Sequence, residues 1–315
     1  MPTQLIYSPE YDYQLGALSV LHPFEGCKYS KAWKRISATQ PALSKKRLTV
    51  PESAISSARI AAVHDSEYLC ALKTSSAIAR VVEVPLLQFI PAQILQQRLL
   101  KPALWACEGT RLAVDWALEN KGLPMNIGGG FHHAYSDHGE GFCFYADAAM
   151  AVASAKQQGK MQSTDVVWLI DLDAHRGNGY EATLGRECPL SVFDMYNFQV
   201  YPGLHPESDP FMFPLKAYTN DRSYLEILHA ELPAFVASSP SPALIFYNAG
   251  TDVVQGDKVG RLGLSVKGVI ERDLFVLEVL SKLNIPTVVL TSGGYNSDSP
   301  ELIATLALNI LASGD

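Results

Sequence analysis

Three polar side chains alternate along the segment Asp171-Leu172-Asp173-Ala174-His175. In extended backbone, residues two apart point to the same side, so Asp171, Asp173 and His175 are expected to face one centre. An aspartate and an imidazole on one centre suit a divalent metal, and catalytic zinc takes three protein ligands of this kind. Asp252 follows another predicted strand and is the best candidate for the remaining ligand. Taken alone, the segment is also compatible with a polar strand end that has capping roles.

Two adjacent histidines, His132 and His133, follow a run of three glycines. Beside a metal, two imidazoles could take a proton from water and return one to a leaving amine. The glycines, Gly128 to Gly130, lack the spacing of a nucleotide-binding loop and are expected to let the backbone pass close to a buried centre. Tyr295 could donate a hydrogen bond to a developing oxyanion. Each of these residues alone is also compatible with a structural role.

These polar groups follow short β-branched runs, which are typical of strands buried on both faces of a parallel sheet. The predicted strands are Met125 to Ile127, Val166 to Leu172, Leu190 to Phe193, Ala243 to Tyr247 and Thr287 to Leu290. Helical spacing predicts helices over Pro102 to Glu119, Tyr145 to Gln158, Gly268 to Leu283 and Glu301 to Leu311. Alternating strands and helices indicate right-handed βαβ units. Because ligands bind beyond the carboxyl ends of such strands, the four polar segments are expected to converge on one crevice.

Composition limits the classes of protein to consider. The 315 residues are 48% hydrophobic and 18% charged, and no linker is evident, which favours one α/β domain over residues 1–315. A net charge of -7 gives no reason to expect direct nucleic-acid binding. Five scattered cysteines without a C-x-x-C pair favour a reducing compartment. Without a signal peptide pattern or a membrane-spanning stretch, we expect a cytoplasmic protein with no membrane contact.

Four motifs in this order resemble the histone deacetylase superfamily: GGGFHHA (Gly128 to Ala134), DLDAHRGNG (Asp171 to Gly179), GTD (Gly250 to Asp252) and TSGGY (Thr291 to Tyr295). Three others resemble its class IV branch: HPFEG (His22 to Gly26), GFCFYAD (Gly141 to Asp147) and YPG (Tyr201 to Gly203). The resemblance extends from about residue 7 to residue 313. It implies a three-layer arginase/deacetylase-type α/β fold with an eight-stranded parallel sheet.

The resemblance also implies roles for the site residues. One zinc ion would be held by Asp173, His175 and Asp252. His132 and His133 would share acid-base work, with Asp171 hydrogen-bonded behind His132.

Further implied roles concern the substrate. Tyr295 would polarise the scissile carbonyl, and Gly141, Phe142 and Tyr201 would line the channel for an acyl-lysine side chain. A structural potassium ion is expected beside the zinc, held by Asp171 and by backbone groups of the metal-binding segment, those of Asp173 and His175.

Two positions depart from many relatives. Asn178 stands behind the second histidine where many relatives have an aspartate, although class IV members share the asparagine. A neutral amide stabilises an imidazolium less than a carboxylate does. In addition, no clear acidic residue for gripping a substrate backbone is found in Leu86 to Gln97.

The resulting prediction is a zinc-dependent deacylase that acts on Nε-acyl-lysine or on a smaller acylated amine. One alternative is an arginase-like ureohydrolase with two manganese ions, although Gly177 replaces the last aspartate of its D-x-H-x-D pattern. Another is a catalytically silent acyl-lysine-binding protein. The motifs leave open the length of the acyl chain and the choice between a protein and a polyamine substrate.

Overall fold

Eight parallel strands form one sheet in the computed structural model, which describes residues 1–14, 16, 25–203 and 210–314. The strands are β1 (Thr3–Ile6), β2 (Leu48–Thr49), β3 (Leu123–Asn126), β4 (Val167–Asp171), β5 (Leu190–Asn197), β6 (Met212–Leu215), β7 (Leu244–Asn248) and β8 (Thr287–Leu290). Their order across the sheet is β2-β1-β3-β8-β7-β4-β5-β6. The expected eight-stranded parallel sheet is confirmed.

The α-helices within the described ranges are α1 (Lys28–Thr39), α2 (Pro41–Lys46), α3 (Ser57–Ala61), α4 (Ser66–Ala71), α5 (Ser75–Val81), α6 (Ala92–Leu95), α7 (Lys101–Asn120), α8 (Asp147–Gln157), α9 (Asn178–Glu187), α10 (Asp221–Ser238), α11 (Val266–Leu283) and α12 (Ser299–Ser313). Contacts join α7, α8 and α9 into one group and α1, α12, α11 and α10 into another. Two helical groups and the sheet form three layers. None of these helices combines the length and the apolar character that crossing a bilayer requires.

The central strands β3, β8, β7 and β4 are neighbours in the sheet, and every residue in them is buried. Each is short and rich in apolar side chains, which suits a strand covered on both faces. The four polar segments begin where these strands end. Parallel pairing therefore brings them to one edge of the sheet, as predicted.

Candidate active site

The glycine run after β3 brings the backbone close to the centre of the molecule. Gly129 and Gly130 have φ of 74° and 78°, and a Cβ atom on Gly130 would lie 2.7 Å from Asn248 Oδ1. The fully buried Asp147 accepts hydrogen bonds from the Gly130 and Phe131 amides, both at 3.0 Å. The close backbone approach predicted for the glycines is confirmed, and it fixes the start of the histidine pair.

Asp173, His175 and Asp252 form a buried cluster beyond the ends of β4 and β7. One potential ligand atom from each residue lies within 4.8 Å of the other two. His175 Nδ1 is 3.0 Å from Asp173 Oδ1 and 2.9 Å from Asp252 Oδ2. Within the ranges that the structure describes, no other group of three histidine, cysteine or acidic side chains is close enough to hold a metal ion. The structure thus brings together the three residues predicted to bind metal.

Backbone amides orient the two carboxylates of this cluster. Asp173 Oδ2 accepts a hydrogen bond from the Gly293 amide at 2.8 Å, and Asp252 Oδ1 accepts one from the Ala174 amide at 2.9 Å. Asp252 Oδ2 is buried and makes no hydrogen bond of ordinary geometry to the described part of the chain. Burial opposes a charge on His175, but Asp173 and Asp252 raise its pKa well above the usual value. A bound cation would satisfy these facing groups.

Two histidines face the cluster from the end of β3, and each has a different partner behind it. His132 Nδ1 lies 2.9 Å from Asp171 Oδ2, whereas His133 Nδ1 lies 2.7 Å from Asn178 Oδ1. All four side chains are buried. The partners implied by the resemblance are therefore in hydrogen-bond contact with the histidines.

The surroundings of the two histidines shift their pKa values in opposite directions. Burial alone would lower the pKa of His132, but the carboxylates of Asp171 and Asp173 raise it above its usual value. Burial, together with the imidazoles of His132 and His175, lowers the pKa of His133 well below its usual value. The charged form is therefore favoured on His132 and disfavoured on His133.

Tyr295 lies on the other side of the cluster. Its ring centroid is 6.5 Å from that of His175, and its amide donates to Asp257 Oδ2 at 2.9 Å. Burial and the nearby carboxylates of Asp252 and Asp173 raise the pKa of its hydroxyl well above 10. The hydroxyl consequently stays protonated and remains a hydrogen-bond donor.

A cavity of about 390 Å³ borders these groups. It is lined by Val82, Glu83, His133, Gly141, Phe142, His175, Tyr201, Val259 and Tyr295. The three predicted channel residues thus lie beside the predicted catalytic groups. A second cavity, of about 380 Å³, shares Tyr295 with the first and is also lined by His132, Tyr13 and Tyr29.

An acidic residue lies at the mouth of the first cavity, just before the segment Leu86 to Gln97. Glu83 precedes Leu86 by three positions, is exposed and has a φ of 58°. The following turn leaves Leu86 and Phe89 61% and 77% exposed. A carboxylate therefore lies at the cavity, and two exposed apolar side chains follow it closely in the chain.

Comparison with known proteins agrees with this geometry. The family model of the histone deacetylase domain matches residues 22–311. The chain is 36% identical to histone deacetylase 2 of Arabidopsis thaliana over 313 residues, which cover 98% of this chain and 79% of the plant protein. This chain belongs to the histone deacetylase family. The family resemblance inferred from the four motifs is confirmed.

Two further matches to this histone deacetylase family member have lower sequence identity. Acetoin utilization protein AcuC of Bacillus subtilis is 30% identical over 171 residues, covering 50% of this chain and 43% of that protein. The crystal structure of the HDA15 HD domain matches with a TM-score of 0.73 over 99% of this chain and 89% of its own, at 19% identity. That match shows a shared fold. Class IV membership stays a prediction, and residues 22–24 of its HPFEG motif lie outside the described residues.

Two buried residues of the site were not predicted from the sequence. Asn248 donates to Asp171 Oδ1 at 2.9 Å and lies 3.3 Å from His132 Nδ1. Asp194 in β5 lies opposite Asp171 in the neighbouring strand β4. Its Oδ2 accepts a hydrogen bond from the Gly177 amide at 2.9 Å. Burial and Asp171 raise the pKa of Asp194 well above its usual value. The available signal was a polar residue at the end of an apolar strand for Asn248 and an acidic residue within a strand for Asp194.

Proposed function

We propose that this chain is a zinc-dependent amidohydrolase that removes acyl groups from Nε-acyl-lysine or from a smaller acylated amine. The main supporting observation is the buried cluster of Asp173, His175 and Asp252, which faces two histidines and a tyrosine at one cavity. Membership in the histone deacetylase family supports a deacetylase activity.

Asp173, His175 and Asp252 would hold the zinc ion. Two carboxylates and one imidazole are donors that zinc accepts, and three protein ligands are usual for a catalytic zinc site. The buried Asp252 Oδ2, which makes no hydrogen bond of ordinary geometry to the described residues, fits a cation at this position. When bound, zinc polarises a carbonyl and lowers the pKa of a water molecule.

His133 is assigned the proton transfers. Because Asn178 Oδ1 can only accept, His133 carries its proton on Nδ1, and Nε2 is the nitrogen that can take a proton from the attacking water. The same nitrogen can deliver that proton to the departing amine. His132, which Asp171 and Asp173 favour in the charged form, would stabilise negative charge near the reacting carbonyl. The geometry thus favours divided roles over the shared role expected from the sequence.

Tyr295 would donate its hydroxyl hydrogen bond to the substrate oxygen as negative charge develops there. The hydroxyl keeps its proton, because burial and the neighbouring carboxylates raise its pKa. A donor that is held in place before the reaction stabilises the transition state without reorganisation.

Gly141, Phe142 and Tyr201 would form the wall around the lysine side chain. A Cβ atom on Gly141 would lie 2.4 Å from His133 Cδ2, so glycine allows the backbone to lie against that ring. The second cavity supports acyl groups longer than acetyl, because it shares Gly141, Phe142 and Tyr295 with the first cavity and so adds space beside the reacting groups. Class IV resemblance favours the same long-chain substrates.

A structural potassium ion beside Asp171 is part of the proposal. Asp171 and Asp194 are buried neighbours, and Asp194 Oδ1 makes no hydrogen bond to the described residues. Oxygen-rich sites of this kind suit hard cations. The carbonyl groups of Asp173 and His175 would supply the other ligands that the resemblance implies.

The alternatives have less support. An arginase-like enzyme needs a second metal, but Gly177 supplies no ligand side chain, and the described ranges hold one cluster of potential ligands. A silent acyl-lysine-binding protein would be expected to lack a reactive group. His133 and Tyr295 are instead both present at the cavity.

A substrate panel tests the proposed function. The purified chain is incubated with lysine peptides carrying acyl groups from acetyl to long fatty chains, with acylated polyamines and with arginine, and products are measured by mass spectrometry. We expect release of the free amine from an acyl-lysine peptide. Urea release would favour the arginase-like alternative, and binding of acyl-lysine without turnover would favour the silent protein.

A cytoplasmic location and a lack of nucleic-acid and membrane partners stay predictions, as does the single domain over residues 1–315.

A further inference from the structure

The side chain of Asn178 lies between His133 and Glu140. Its Oδ1 is 2.7 Å from His133 Nδ1, and its Nδ2 donates to Glu140 Oε1 at 3.0 Å. The Gly179 amide also donates to Asn178 Oδ1, at 3.0 Å. The amide therefore links the imidazole to a carboxylate that lies one hydrogen bond further out.

This link has a defined direction. An ionised carboxylate accepts hydrogen bonds and cannot donate them. Glu140 therefore favours the orientation of the Asn178 side chain in which the amide nitrogen faces Glu140. The amide oxygen must then face His133 Nδ1. With the proton on Nδ1, the Nε2 lone pair of His133 is free for the reaction.

The loop that carries Glu140 packs directly on the histidine. Gly141, the next residue, lies so close to the His133 ring that it has no room for a side chain. The Glu140 side chain is 29% exposed, and its Oε2 is 3.8 Å from His138 Nε2. Burial and the Glu140 carboxylate raise the pKa of the Tyr201 hydroxyl at the channel wall above its usual value. Glu140 thus contacts the support of the proposed base and acts electrostatically on a residue of the channel wall.

We infer that Glu140 is a positioning residue for His133, acting through Asn178. This inference rests on the proposed function, in which His133 transfers protons. The carboxylate polarises the Asn178 amide and holds its oxygen towards the imidazole, because a hydrogen bond to a charged group is stronger than a neutral one. The chain thereby compensates for the asparagine behind its second histidine without placing a charge in contact with it.

The arrangement makes positions 140 and 178 interdependent. Asn178→Asp would place two carboxylates at hydrogen-bond distance, where like charges disfavour each other. Adding Glu140→Gln would relieve the conflict, because a glutamine amide can donate to the new carboxylate. Independent residues would show additive effects instead.

Steady-state kinetics on an acetyl-lysine or fatty-acyl-lysine peptide test this coupling. We expect Glu140→Ala to lower kcat about tenfold, as outer partners of site residues often do, with KM changed less than about twofold. Glu140→Gln keeps an acceptor for Asn178 and should stay within about threefold of wild type. The double variant should exceed Asn178→Asp by at least about threefold in kcat, within the range of coupling for contacting residues. Additive effects, or a loss confined to KM, would overturn the inference.

Asp137→Asn provides the matched control. It removes one negative charge from the same loop, and Asp137 contacts His138 rather than Asn178. We expect its kcat to match that of wild type. An equal loss of kcat in Asp137→Asn and Glu140→Ala would show that the loss comes from the total charge of the loop, and this would overturn the inference.

A spectroscopic test does not require activity. In protein with nitrogen-15-labelled histidine, the His133 signals are assigned by their loss in His133→Gln, and their shifts report which ring nitrogen carries the proton. We expect the Nδ1-protonated form in wild type and Glu140→Gln, and a larger Nε2-protonated fraction in Glu140→Ala. An unchanged ratio in Glu140→Ala would overturn the positioning role. If no acyl-lysine substrate is hydrolysed, the proposed function fails while this measurement still decides the role of Glu140.

Discussion

The ring centroids of His132 and His133 lie 4.1 Å apart, yet the pKa of the first is raised and that of the second is lowered. Two imidazoles this close in a buried site disfavour each other's charge, so a single proton is best accommodated on the ring with the carboxylate partner. That partner is Asp171 behind His132, whereas His133 has the Asn178 amide. The neutral ring is therefore the base in this account.

This assignment predicts the pH dependence of the reaction. His133 must be unprotonated to accept a proton, and its pKa is lowered, so the acid limb of kcat/KM is expected below about pH 6.5. His133→Gln should lower kcat about 10²–10⁴-fold, the usual contribution of a positioned base. Steady-state kinetics over a range of pH, with His132→Gln for comparison, provide the check. If the acid limb of kcat/KM is unchanged in His133→Gln, a residue other than His133 is the base.

A second prediction concerns the Tyr295 hydroxyl. Tyr295→Phe keeps the aromatic ring and the hydrogen bond from the backbone amide of residue 295 to Asp257. The variant should therefore keep the conformation of the loop and the bound zinc. Loss of one oxyanion donor typically costs about 10²–10³ in kcat. Because the transition state needs the donor more than the ground state does, KM should change much less. A zinc-loaded variant within about threefold of wild-type kcat would not fit an oxyanion donor.

A third prediction concerns potassium and Asp194. Binding to the folded state alone stabilises a protein by mass action, by about 2.7 kcal/mol when the ligand is at 100 times its Kd. Potassium chloride should therefore raise the Tm of the wild type more than tetramethylammonium chloride does at equal ionic strength. Asp194→Asn should lose this difference, because it removes a buried carboxylate beside Asp171. An equal response to both salts in the wild type would argue against the potassium site.

A fourth prediction concerns the stability of the loop between the histidines and α8. His64 lies 3.3 Å from the Ser136 carbonyl through Nδ1 and accepts the Ala146 amide through Nε2 at 3.0 Å. Burial lowers the pKa of His64 to about 4. Between that value and about 6.5 the unfolded chain binds more protons than the folded one, so the free energy of unfolding falls as the pH is lowered through this range.

The lowered pKa of His64 changes the free energy of unfolding by about 3 kcal/mol over the whole pH range, and about 2 kcal/mol of this is lost between pH 7 and pH 5. Urea unfolding of wild type and His64→Gln at pH 7 and pH 5 measures it. The variant is expected to be less stable at pH 7 and to lose less stability on acidification. Parallel losses in the two proteins would assign the pH dependence to other groups.

Much of the site was predictable because its residues lie directly after strands with clear apolar patterns. The β-branched run at Thr287–Leu290 predicted β8 with its observed bounds, and D-x-H spacing predicted Asp173 and His175 on one centre. The limits of other strands were less clear. β5 continues to Asn197 although it contains the polar Asp194, because a buried site at its end accommodates these side chains.

Other features depend on contacts between distant segments, which periodicity does not report. β2 has two residues and forms only through its pairing with β1, so its sequence carries too short a pattern to detect. Glu140 follows a strand by many positions, and its contact with Asn178 depends on how the loop packs on His133. The motifs therefore specified the reacting groups and their immediate partners, Asp171 and Asn178, but not Glu140, which lies one contact further out.

Metal content and acyl-lysine hydrolysis, measured together on the same preparations, test the central claim most directly. We predict one zinc ion per chain in active wild-type protein, loss of hydrolysis on chelation and its return when zinc is added back. Asp173→Ala, His175→Ala and Asp252→Ala should each lose most of the zinc and nearly all activity while keeping the wild-type circular dichroism spectrum, because each removes one of three protein ligands. Stoichiometric zinc in any one of these variants, or full hydrolysis by the metal-free wild type, would contradict the account.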